Sequence, residues 1–163
     1  MAYGKVHEQF WDDPLLRSKE EPCRLLMLFL ITCRHKNRLG CYVLGSGTAA
    51  EDLQWPVEKV ESVRQELIDA ERIAWDPATR IVFIPRFLKW NKLENHKVVT
   101  GAIKELGSLP ATPLIEQLLE AVERYKLPHY KPLAEALGNR MENDMAYRID
   151  TVGGAIRSRS RSR

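Results

Sequence analysis

No apolar stretch in this chain approaches the roughly 20 residues needed to cross a bilayer. The longest, 25–33, is interrupted by Thr32 and ends at a basic turn. A membrane-spanning helix is therefore not expected. Residues 1–10 also lack the apolar core and small-residue cleavage site of a secretory signal, which points to the cytoplasm. The three cysteines, Cys23, Cys33 and Cys41, are odd in number and show no paired spacing, as suits a reducing compartment.

Catalytic signatures are scarce as well. The GSGT string at 45–48 has neither the lysine nor the length of a nucleotide-binding loop and reads as a turn before a helix. His7, His35, His96 and His129 are scattered, with no acid or nucleophile shared between them, so no enzyme is expected. Cys33, His35 and Cys41 carry zinc-type donors, but their spacing fits no closed four-ligand site. Buried cysteines are the expectation, with no metal or cofactor.

A strong excess of one charge is missing too. The net charge is +3, but residues 157–163, RSRSRSR, hold four arginines and no acid. Without them 21 basic side chains face 22 acidic ones, a net of −1. The body is not a basic domain, and any affinity for phosphate must come from a local patch.

Apolar residues make up 44% and charged residues 29% of the 163, enough for one core with an appendage. Ser18 and Glu21 stand at capping-box spacing and predict a helix over 18–33, with Pro22 in its first turn. Its apolar residues run around most of the circumference, as in a central helix. A basic turn, 34–38, leads to a short strand at 41–44 between Gly40 and Gly45. Thr48 and Glu51 repeat the capping-box spacing and open a helix to Leu53. Pro56 suits the first position of the next helix, which buries Val57, Val60, Val63 or Arg64, Leu67 and Ile68. The runs 73–75 and 81–84, separated by Asp76, Pro77, Ala78 and Thr79, make a hairpin. Helix, strand, helix, helix, hairpin is the order of a winged helix-turn-helix. Amphipathic helices follow at 97–106 and 112–125, with a weaker one at 132–137. The expected class is α+β, mainly α. A winged helix-turn-helix domain spans 1–110. A helical extension, 111–138, packs on it or dimerises, and 139–163 is a disordered basic tail.

The strings FWDDPLLRS, RLLMLFLITC, the helix pair within 48–72, IVFIPRFLKWNKLENHKVVTGAIKEL and SLPATPLIEQLL occur in an order that is informative. Together, over about 9–125, they resemble the N-terminal winged-helix region of phage and prophage replication proteins, the replication initiators and replisome organisers related to DnaD-type primosome proteins. The resemblance implies origin or single-strand DNA binding and recruitment of helicase or helicase-loading proteins. Longer members carry further helicase-interacting or ATPase regions. The match does not extend to these, so such activities are not expected here.

In a helix-turn-helix the second helix of the pair usually enters the major groove. Here that helix, 57–72, carries five acids against three bases, so base or phosphate contact would fall to Lys59, Ser62, Arg64 and Gln65. A stronger basic footprint lies on and after the hairpin, in Arg72, Arg80, Arg86, Lys89, Lys92 and Lys97, interleaved with Phe87, Trp90 and His96. Cations there would hold the phosphate backbone and an exposed aromatic would stack on an unpaired base. The alternative is that Phe87 and Trp90 anchor the chain to the core. The turn 34–38 is a second basic cluster, either a phosphate contact or merely solvated, and the RS tract would add salt-sensitive affinity. The expected partners are duplex or single-stranded DNA and host replication proteins, with a homodimer through the last helices. A protein-interaction adaptor and a winged-helix transcription regulator are the rival readings.

Overall fold

The computed structural model describes the backbone of residues 4–159 and the side chains of residues 4–145. Among these the chain is mainly helical, around one small antiparallel sheet of three strands. No helix among the described residues is long and apolar enough to cross a membrane.

The first helix begins earlier than Ser18. Asp13 caps α1 (Pro14–Ser18), its carboxylate accepting the Leu15 and Leu16 N–H groups at 3.0 and 3.3 Å. An Asp cap followed by Pro in the first turn is a stronger start signal than the serine. Ser18 instead closes α1, its hydroxyl donating to the Leu15 carbonyl. The central helix α2 (Glu21–Thr32) then starts at Glu20 without a side-chain cap, with Pro22 in its first turn. It buries Cys23, Leu26, Met27 and Leu30.

After β1 (Cys41–Val43) come α3 (Ser46–Leu53) and α4 (Val57–Asp69), joined through Gln54 in the left-handed conformation at φ 55°. The second capping box does not form either. The N-cap of α3 is Gly45, and the Ser46 hydroxyl at its start takes a hydrogen bond from Arg64 of α4. Pro56 lies one position before the first turn of α4, as its N-cap. This helix turns Val60, Val63 and Leu67 into the core, while Val57 remains exposed.

The hairpin β2 (Ala74–Asp76) and β3 (Ile81–Phe83) completes the sheet in the order β1-β3-β2. Tyr42, Val82 and Trp75 stand opposite one another, and every residue of the central strand is buried. The Tyr42 hydroxyl reaches back to the Leu30 carbonyl at 2.7 Å, fixing α2 across the sheet.

The chain leaves β3 into a one-turn helix, α5 (Phe87–Trp90), which periodicity does not announce. Its position is set by Gly40, at φ 66°, where a Cβ would collide with the Phe87 ring. The Ile84 N–H donates to the Gly40 carbonyl at 2.9 Å, so ring and backbone meet at one residue.

Three helices cover the other end: α6 (His96–Gly107), α7 (Leu114–Arg124) and α8 (Lys131–Arg159). Asp76, at the end of β2, accepts hydrogen bonds from Thr79 and from Thr112, just before α7, tying the hairpin turn to this layer. Burial raises the Asp76 pKa, but these hydroxyls and the Ala78 and Thr79 N–H groups outweigh it and hold the carboxyl below its ordinary value. The helix expected to end near Leu137 continues to Arg159. Leu133 and Leu137 are buried, Met141 extends the stripe past Gly138, and Arg140 donates to the Leu106 and Leu109 carbonyls. Residues 160–163 of the RS tract lie outside the described residues.

Gly40→Ala should lower stability by roughly 2–4 kcal/mol, combining a left-handed backbone with overpacking against Phe87. Urea unfolding measures this, and a loss below about 1 kcal/mol would mean that α5 is not anchored there.

Candidate nucleic-acid interface

The residues expected to touch DNA separate into two groups by their partners. Arg64 has only 16% of its side chain exposed, donates to Ser46, and lies 4.0 Å over the Trp75 ring. Burial lowers its pKa, and the Glu61 carboxylate partly offsets that. It staples α3, α4 and β2 together.

Arg72 is also turned inward, with 10% exposure and its Nη2 at 2.8 Å from Asp13. Burial raises the pKa of Asp13, but the Arg72 hydrogen bond, the Leu16 and Leu15 N–H groups and the Arg72 charge bring it below the ordinary value. This pair ties the end of α4 to the start of α1. Both arginines are therefore internal fasteners.

The others reach the surface. Lys59 is exposed on α4 with its ammonium 4.3 Å over the Trp55 ring. Ser62 and Gln65 are exposed beside it, Gln65 donating to Asp69 at 2.8 Å. Glu58, Glu61 and Asp69 are exposed on the same helix, so its solvent side is predominantly acidic. Arg80 is exposed in the hairpin turn at φ 57°, and its side chain lies beside Gly45 at the start of α3. Arg86, Lys89, Lys92 and Lys97 are all exposed along the segment that follows the hairpin. Of these, Arg86 approaches Asp13 at 3.9 Å and Lys89 lies 4.4 Å over Trp90.

The two aromatics of α5 have different roles. Phe87 is buried against Gly40, whereas Trp90 is half-buried and stacks with His7, ring centroids 4.2 Å apart and planes 22° from parallel. His7 belongs to the N-terminal segment, which is held to α5 by a two-way bond between the Lys5 backbone and the Asn91 side chain. Between this segment, α2 and α5 runs a groove of about 400 Å³, bordered by Lys5, Arg72, Arg86 and Lys89. The N-terminal wall has no periodic signature in the sequence. The only local signal for it is the Asp13-Pro14 cap.

The basic turn 34–38 is mostly committed within the protein. Arg34 and His35 both contact Asp52 at 2.8 Å, and Arg38 pairs with Glu105. Lys36 is buried, which lowers its pKa. His35 is therefore engaged by a carboxylate, while Cys33 and Cys41 are buried in the core and burial pushes the Cys41 thiol up to about 12. Among the described residues no group of three or more His, Cys, Asp or Glu side chains is placed to hold a metal ion.

Comparison with protein-family models, with curated proteins and with solved structures finds no match to this chain.

Removing Arg72 leaves Asp13 charged and largely enclosed. Arg72→Met should cost roughly 3 kcal/mol at neutral pH, and Arg86→Met less than about 1 kcal/mol. The Asp13 pKa is lowered on folding, so the pair's contribution is complete above the ordinary value of 3.8 and is lost as pH falls below it. Urea titrations at neutral and acid pH should show the gap between these variants narrowing in acid. Equal costs at neutral pH would contradict the fastener role.

Proposed function

We propose that this chain is the DNA-binding module of a phage or prophage replication protein, built as a winged helix-turn-helix. Supporting the architecture are the succession α2, β1, α3, α4, β2, β3 and the pairing of β1 with β3 at the centre of the sheet. Replication rather than transcription comes from the resemblance of the strings over 9–125 alone.

One observation carries the DNA reading. The exposed cations Arg80, Arg86, Lys89, Lys92 and Lys97 follow one another along the hairpin turn and the chain leaving it, whereas the exposed side of α4 is predominantly acidic. In this reading the hairpin and its sequel hold the phosphate backbone, and α4 offers limited base contact through Lys59, Ser62 and Gln65. Arg80 fits such a role. It occupies a left-handed position where glycine would be easier, a backbone cost of order 1–3 kcal/mol that an arginine useful elsewhere can justify.

A second reading, a replisome adaptor that contacts protein through α4, is favoured by the exposed Glu58, Glu61 and Asp69. Phosphate would be repelled there, whereas a basic protein surface would be attracted.

Mobility-shift or anisotropy titrations decide between the two. DNA affinity should fall steeply with salt. Charge reversal at Arg80, Arg86 or Lys89 should weaken binding more than Lys59→Ala. Arg80→Gly should weaken binding while leaving stability unchanged or raising it by up to about 1 kcal/mol. Binding that vanishes when residues 157–163 are removed would assign the affinity to the RS tract instead, and absence of binding to either DNA form would favour the adaptor.

A further inference from the structure

The groove between the N-terminal segment and α5 has the volume of a small-ligand site, about 400 Å³. Its borders combine cations with an aromatic platform. Lys5, Arg86 and Lys89 are exposed along it. Arg72 belongs to the lining as well, and its Nε–H has no hydrogen-bond partner.

Two acids also border the groove. Asp13 is neutralised by Arg72 and by two backbone N–H groups, and Asp12 is exposed with Arg17 4.0 Å away. Lys5 is paired with Glu94 at 2.6 Å, so Arg86 and Lys89 are the cations the groove offers an anion. Trp90 supplies the platform, and the His7 imidazole lies nearly parallel on it. A planar, nitrogen-containing ring stacked on an indole is the contact a nucleobase would make.

His7 is itself exposed, on a segment fastened mainly by Lys5 to Asn91 and Glu94.

Resting on the DNA-binding reading above, we infer that this groove seats one unpaired nucleotide of single-stranded DNA. The base stacks on Trp90 in the place of the His7 ring, and its phosphate lies between Arg86 and Lys89. A base within a duplex is already stacked on both faces and cannot enter without being extruded, so the groove selects single strands.

The test is anisotropy of the full chain with a labelled oligothymidylate and, separately, with a duplex of equal length. Trp90→Ala should weaken single-strand binding about tenfold while leaving duplex binding within about twofold, and Trp90→Phe should retain most of it. His7→Ala, which removes the competing ring, should tighten single-strand binding about two- to threefold without affecting the duplex.

Equal loss of both DNA forms in a Trp90→Ala protein with the parent's circular dichroism spectrum would overturn the groove assignment. If that variant does not fold, His7→Ala decides, and unchanged single-strand binding overturns the assignment. Displacement of the oligonucleotide by free thymidine monophosphate at equal nucleotide concentration would mark a mononucleotide site and overturn it too. Failure of the parent to bind either DNA form at low salt would sink the DNA-binding reading, whereas duplex binding alone would sink only the groove.

Discussion

Gly40 has no side chain, and Phe87 fills the space where one would be. That contact couples three parts of the fold. Gly40 immediately precedes β1, its carbonyl accepts the N–H of Ile84 at the end of β3, and Phe87 opens α5. A four-residue helix has almost no stability of its own, because the cost of nucleation is not recovered in a single turn. It persists here because Phe87 and Leu88 are buried beneath it. Arg86, Lys89 and Trp90 are consequently presented from a fixed base rather than a loose crossover, and the groove on the N-terminal side has a rigid wall. The functional proposals depend on that rigidity, since a cation on a mobile loop gains little from any one phosphate once ordering is included.

Charge in this protein is divided by burial. Arg64 and Arg72 are enclosed and each is satisfied by the protein, one by Ser46 and the Trp75 ring, the other by Asp13. Arg38 and Arg34 are half committed, to Glu105 and Asp52. Five exposed cations, Arg80, Arg86, Lys89, Lys92 and Lys97, follow one another on the hairpin turn and beyond it. A body with no net positive charge can therefore present a localised basic strip without surrounding itself with a general attraction for phosphate. The exposed side of α4 is by contrast predominantly acidic.

Much of the architecture was legible from periodicity. The apolar spacing in α2, α4, α6 and α7 follows from burying apolar faces, a repeat that survives in sequence, and the apolar run 81–84 marks a strand buried on both faces. Helix starts were less legible. Both capping boxes fail because the helices start elsewhere: Asp13-Pro14 begins a helix before Ser18, and α3 starts from Gly45, which leaves Thr48 inside its first turn. The length of α8 was hidden because its stripe is sparse, with one large apolar residue per turn at Leu133, Leu137 and Met141. The fate of Arg72 was hidden for another reason. Its partner Asp13 is 59 residues away in sequence, and nothing local marks the pair. Of the aromatics after the hairpin, composition could not tell Phe87 from Trp90. Only the close approach to Gly40 separates the anchor from the ring that is stacked with His7.

In the proposed mode DNA is met by the hairpin turn and α5 rather than by the exposed side of α4. Amide chemical-shift mapping of the isotopically labelled full chain during titration with DNA reads this residue by residue. Shifts are expected at Arg80, from Arg86 to Asn91 and along the N-terminal wall of the groove, with little change at Glu58, Glu61 and Asp69. Shifts that follow the exposed side of α4 and leave α5 unchanged would contradict it.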